Sequence, residues 1–305
     1  MKKQNIMNKV NLCLAALLLG TSCSVKQGNM KKEPEFPAFD TEGHRGGRGL
    51  MPENTIAAMI HGIDLGITTI EMDCHITKDN QVIVSHDDAL NPAHMLKPDG
   101  SELEPKSEKQ YILYQMTYNE ISKYDIGTKF YKDFPQQKKQ KAHIPLLSNL
   151  IDSVQAHIKA TGKKQVFYNI ETKSSAKGDG KLHPEPEVFV RLLMEQIEKK
   201  GITPWVIIQS FDVRTLEVLN KKYPHVKTSY LVSKNDLESN LQKISFTPTV
   251  YSPHYKLVDA DLVKQCHEKG MKIIPWTPNT KEEIDQLKAF GVDGIISDYP
   301  NLFFN

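Results

Sequence analysis

Short apolar runs along this chain alternate with longer stretches whose apolar positions recur at helical spacing. Residues 39–44 read as a first strand. A glycine-rich turn and Pro52 follow, and Glu53-Asn54-Thr55 opens a helix. Its apolar positions are Ile56, Met59, Ile60 and Ile63, and Gly66 stops it. Residues 68–76 form a second strand, and residues 81–85 an extra strand beyond the turn-like Lys78-Asp79-Asn80. The rhythm resumes with helices at 146–161, 186–199, 213–222, 236–244, 259–269 and 281–290. Strands are expected at 166–171, 205–209, 227–232, 250–252, 272–276 and 294–297.

About eight strands alternating with helices over about 260 residues suit an α/β fold of the (β/α)8 TIM-barrel class. A doubly wound open sheet is the alternative. Residues 87–142 break the rhythm with Pro92, Pro98, Gly100, Pro105 and Pro135. They read as a small insertion after the second strand, carrying a short helix near 117–124 and lying over the site end of the fold.

The first residues have the pattern of an export signal, expected over 1–22. Lys2, Lys3 and Lys9 precede a short apolar run from Val10 to Gly20, then Thr21-Ser22 and Cys23. Small residues before a cysteine resemble a bacterial lipoprotein site, with Cys23 lipidated, although the large aliphatic stands one place early at Leu19. A plain secretory signal is the alternative. The protein is thus expected to be exported, as a periplasmic or cell-envelope lipoprotein whose only membrane contact is its lipid anchor. Residues 23–39 read as a tether, and 40–305 as a single barrel domain. Without residues 1–22 the chain has 36 basic and 37 acidic residues, so no electrostatic case for nucleic acid exists. Cys74 and Cys266 read as buried free thiols, and nothing in the pattern specifies an oligomeric state.

In a TIM barrel the chemistry sits at the carboxyl ends of the strands. His44 and Arg45 end the first strand, Glu71 and Asp73 approach the end of the second, and His86 follows the extra strand. Glu171 and Lys173 end the next, and Trp276 and Asp298 end the last two. Residues i and i+2 on a strand share a face, so Glu71 and Asp73 can converge. With Glu171 they form an all-oxygen set suited to Mg2+ or Ca2+. A rim network with Arg45 and Lys173 is the other reading of the same acids. A divalent metal beside Arg45 and Lys173 would make a pocket for a phosphoryl group, with His44 and His86 as a proton-transfer pair. Trp276 would pack on the substrate or fill the barrel mouth. His44 and Arg45, being adjacent, can share this pocket only if the strand ends there, which Gly46 and Gly47 permit.

These residues resemble the glycerophosphodiester phosphodiesterase family. The resemblance rests on His44-Arg45-Gly46 with Pro52-Glu53-Asn54-Thr55, Glu71-x-Asp73, His86-Asp87 and Ile170-Glu171-Thr172-Lys173. It continues through Trp276-Thr277-Pro278-Asn279 and the closing segment 291–300. It implies a TIM barrel, a divalent metal on Glu71, Asp73 and Glu171, acid–base histidines at His44 and His86, and Arg45 and Lys173 near the phosphate. The implied reaction hydrolyses a small-molecule phosphodiester to glycerol 3-phosphate and an alcohol. Some members of the family act on lysophospholipids, so a lysophospholipase D type of activity stays open. The stretch from Asp87 to His94 lacks the Arg-Thr often found there. A glycoside hydrolase and a non-catalytic binding lipoprotein are the competing classes.

Overall fold

A computed structural model describes residues 34–304. The strands are β1 (Asp40–Gly43), β2 (Thr69–Ile76), β3 (Val82–Val84), β4 (Phe167–Thr172), β5 (Val206–Ser210), β6 (Lys227–Val232), β7 (Val250–Pro253), β8 (Lys272–Ile273) and β9 (Gly294–Ser297). The helices are α1 (Ile56–Leu65), α2 (Tyr118–Ile121), α3 (Leu147–Thr161), α4 (Pro186–Lys200), α5 (Val213–Lys222), α6 (Leu237–Leu241), α7 (Ala260–Glu268) and α8 (Lys281–Phe290). Eight of these strands pair in parallel in the order β8-β7-β6-β5-β4-β2-β1-β9, and β3 adds antiparallel to β2. Between the two end strands, Asp293 N donates to Ile273 O and Ile296 N to Pro275 O, each at 3.0 Å. The result is a nearly closed TIM barrel, and the open-sheet alternative falls away.

The period of two along each strand divides the molecule. Ile70, Met72, Cys74 and Ile76 of β2, Tyr168 and Ile170 of β4, and Val206 and Ile208 of β5 join the main core. Met59, Leu150, Phe189, Leu193 and Leu216 meet them from the helices. The alternate residues Glu71, Asp73, His75, Asn169, Glu171 and Gln209 are buried on the other face, inside the barrel. Val250, Ile274 and Ile296 fill its opposite side. Both Cys74 and Cys266 are buried free thiols.

Several boundaries differ from the sequence expectations. Strand 272–276 shortens to Lys272–Ile273 because Pro275 cannot donate to the ladder, and bridging resumes at Trp276. The helix at 236–244 shortens to Leu237–Leu241. Residues 34–39, assigned to the tether, belong to the fold: Phe36 packs against the inner apolar cluster, its ring 5.7 Å from that of Phe167. Residues 1–33, including the expected signal and Cys23, lie outside the described residues. Among the described residues, no helix is long and apolar enough to cross a membrane.

The insertion builds a satellite core of its own from Leu90, Met95, Leu103, Leu113, Ile121 and Ile126, seated on Ile83 and Ile144. The expected helix near 117–124 is the single turn α2, closed by a Thr117–Glu120 capping box. The insertion also grips the loop after β1. Gln137 Nε2 donates to Arg48 O at 2.6 Å, Lys138 N donates to Leu50 O at 2.8 Å, and the Phe134 ring lies 4.6 Å from the Arg48 guanidinium.

Candidate active site

β1 stops at Gly43, and the chain turns through His44–Gly46 with Arg45 in the left-handed region at φ 52°. That turn lets two adjacent side chains face one pocket. Gly46, at φ 83°, lies where a Cβ would come within 2.7 Å of the Ala58 Cβ, so a side chain there would push α1 away. Arg45 is buried, with Nη1 2.9 Å from Glu53 Oε1 and Nε 3.4 Å from Asp73 Oδ2. Glu53→Ala would strip this buried guanidinium of its closest partner. The expected cost is about 3 kcal/mol, read as a lowered urea midpoint.

Glu71, Asp73 and Glu171 converge as the sequence suggested. One oxygen from each lies within 4.8 Å of the others, and all three residues are buried. Neutral donors orient the cluster. Glu71 accepts from Arg45 N at 2.6 Å and from Gln209 Nε2 at 2.7 Å, and Asp73 accepts from Asn54 Nδ2 at 2.9 Å. Burial and repulsion from Asp73 push Glu71 well above the usual carboxylate range, and burial also raises Glu171 against the pull of Lys173. Burial works the same way on Asp73, but His86, Lys173 and Arg45 overcome it and hold the group well below its ordinary value. Lys173 Nζ sits 3.1 Å from Glu171 Oε1 and 3.8 Å from Asp73 Oδ1. Three hard oxygen donors whose mutual repulsion shows in a raised Glu71 fit a divalent cation.

The two histidines share one device. His44 Nδ1 lies 2.5 Å from Asp298 Oδ1, and His86 Nδ1 lies 2.8 Å from Asp87 Oδ1. A carboxylate can only accept, so each Nδ1 carries the proton and each Nε2 is left for the pocket. Asp298 is fixed in turn by Arg48 Nε and Asn279 Nδ2, both at 2.7 Å. Asn91 Nδ2 holds Asp87 at 2.6 Å. Burial lowers His44 to about 4 despite Asp298, so the imidazole is neutral at neutral pH.

His75 continues the Glu71–Asp73 face, and its Nε2 lies 3.0 Å from His86 O. Burial holds it to about 4 as well. An unfolded histidine takes its proton near 6.5, whereas these take one only near 4. Their contribution to stability is therefore complete above pH 6.5 and is lost as pH falls towards 4. The wild-type urea midpoint is expected to drop more than that of His75→Gln between pH 7.5 and 5. Equal drops would remove His75 from this account.

His44, Arg45, Glu71, His86, Glu171, Lys173 and Trp276 line one cavity of about 140 Å3 with Arg48, Gln209 and Phe211. Asp73 lies beneath, holding Arg45 and Lys173. The structure thus brings every sequence-nominated site residue among the described residues to one rim. Sequence reasoning placed Asp298 at a strand end without a task, and gave no role to Arg48, Glu53, Asn54, Asp87 or Gln209. Gln209 was within reach, because it lies near the end of β5 in register with Glu171. Glu53 was not, since nothing in the pattern shows that its partner is a loop arginine eight positions earlier. His254 packs against Trp276, ring centroids 5.1 Å apart, and does not line this cavity.

Fold and rim together define a TIM-barrel enzyme with acids, cations and histidines gathered at its strand ends. Residues 44–302 match the glycerophosphoryl diester phosphodiesterase family, and the chain belongs to it. A glycerophosphodiester phosphodiesterase from Caldanaerobacter subterraneus is 30% identical over 262 residues, covering 86% of this chain and 95% of that relative. A solved structure from Silicibacter pomeroyi, assigned to the same kind of phosphodiesterase, superposes with a TM-score of 0.77 at 26% identity, covering 88% of this chain and 92% of that one. A phosphodiesterase from Oleispira antarctica, solved with sn-glycerol-3-phosphate as product, shares the fold at a TM-score of 0.66 and 21% identity, covering 86% and 94% of the two chains.

Proposed function

We propose that this protein hydrolyses glycerophosphodiesters to glycerol 3-phosphate and an alcohol, with a divalent cation, Mg2+ or Ca2+, held by Glu71, Asp73 and Glu171. The observation that carries the reading is the placement of two aspartate-held histidines on one small cavity with Arg45, Lys173 and the acids. When bound, the cation would draw charge from a phosphate oxygen and ease formation of the five-coordinate phosphorus.

The chain's own residues supply the rest. Arg45 and Lys173 face the phosphate with fixed positive charge, already oriented by Glu53 and Glu171. His44, neutral and with its Nδ1 proton given to Asp298, presents a bare Nε2 that takes a proton from the attacking hydroxyl. That hydroxyl belongs to water or to the substrate's own glycerol. His86, carrying a second proton on Nε2, gives that proton to the departing alcohol oxygen, while Asp87 keeps its ring oriented through Nδ1. Trp276, its ring perpendicular to that of Phe211 at 5.5 Å, receives the carbon skeleton of the glycerol.

The leader supports export and attachment through Cys23 as a cell-envelope lipoprotein. The test is release of glycerol 3-phosphate from a panel of glycerophosphodiesters, with chelator and then with Mg2+ or Ca2+ restored. Turnover that is lost and recovered supports the reading. Cleavage of glycosides, or phosphodiester turnover indifferent to chelator, would overturn it.

A further inference from the structure

A second cavity, of about 530 Å3, opens beside the first. The two share His86, Glu171, Lys173 and Phe211. They therefore meet where the phosphate is proposed to lie, and a phosphodiester has one ester arm for each. The smaller cavity suits the constant glycerol, and the larger one suits the variable alcohol on the His86 side.

The charges facing the larger cavity do not balance. Asp87 is matched by His86 and Asn91. Glu171 is matched by Lys173. His183 has both ring nitrogens engaged, with Pro184 O at 2.9 Å and Ser175 N at 3.0 Å. His75 is tied to His86 O. Asp88 also lines the cavity, and its carboxylate has no partner among the described residues. Leu113 N meets only its backbone oxygen. Phe211, with much of its ring exposed, forms part of the same wall. A lone carboxylate and an open aromatic ring suit an ammonium group, primary or quaternary. Among the described residues, no lysine or arginine other than the paired Lys173 lines the space to welcome an anionic head group. Residues 87–91 supply two acids, an amide and no cation.

We infer that the preferred leaving alcohol is a cationic amino alcohol, selected by Asp88 and Phe211. This rests on the phosphodiesterase reading above. The experiment measures kcat/KM for glycerophosphoethanolamine, glycerophosphocholine and glycerophosphoglycerol at low salt. The two cationic substrates are expected to lead the neutral one by roughly tenfold. In Asp88→Asn that ratio is expected to collapse towards one, mainly through KM. Equal wild-type values for all three, or an unchanged ratio in Asp88→Asn, would overturn the inference while leaving the phosphodiesterase reading intact. No turnover of any of the three would overturn both.

Discussion

Glu71→Gln is expected to lower turnover of glycerophosphodiesters by about a thousandfold or more, with the fold retained. Losing a cation that carries transition-state charge removes several kcal/mol of stabilisation, and about 4 kcal/mol is a thousandfold. The metal-free protein should hardly notice the change. Burial and Asp73 already favour the protonated, neutral form of Glu71 in the absence of a cation, and glutamine resembles that form. Added Mg2+ or Ca2+ should therefore raise the melting temperature of the wild type and leave that of Glu71→Gln unmoved. A variant that keeps both its turnover and its metal-dependent shift would remove Glu71 from the cation site. Paired measurement matters, because loss of activity alone would also follow from misfolding.

His44→Ala should cost about a hundred- to ten-thousandfold in kcat, the range of a lost proton-transfer group. Here the metal-dependent rise in melting temperature should persist, since the three acids are untouched. That contrast separates the two roles within a single rim. Asp298→Asn should fall in the same direction, because an amide at this position no longer obliges Nδ1 to carry the proton. It also removes the ion pair to Arg48. An Asp298→Asn variant as active as wild type would show that the histidine's orientation is held by other contacts.

Much of this was readable in the sequence because strand and helix periods are local. The i, i+2 spacing of Glu71 with Asp73, and of Glu171 with Lys173, put each pair on an inner face before any tertiary contact was known. Helices 213–222 and 281–290 and strands 227–232 and 294–297 emerged at their expected limits for the same reason. The hidden features depend on contacts between distant segments. Asp298 reaches His44 across 254 positions, and Gln209 reaches Glu71 across 138. The placement of Phe36 inside the fold was equally hidden, because a phenylalanine between prolines carries no periodic signal. The turn at Arg45 was half visible: two glycines allowed it, but only the pairing with Glu53 and Asp73 requires it.

The grip of Phe134, Gln137 and Lys138 on the loop after β1 divides the insertion into parts of unequal freedom. Residues 87–91 border the outer cavity, whereas residues 134–138 hold the backbone that presents His44 and Arg45. A chimera that trades the first segment for a relative's is expected to change substrate preference and keep the hydrolysis. One that trades the second would have to rebuild the loop that carries His44 and Arg45 as well. The cavity's edge is therefore free to vary in a way that the clasp a few dozen residues later is not, because the clasp bears on the backbone next to His44 and Arg45.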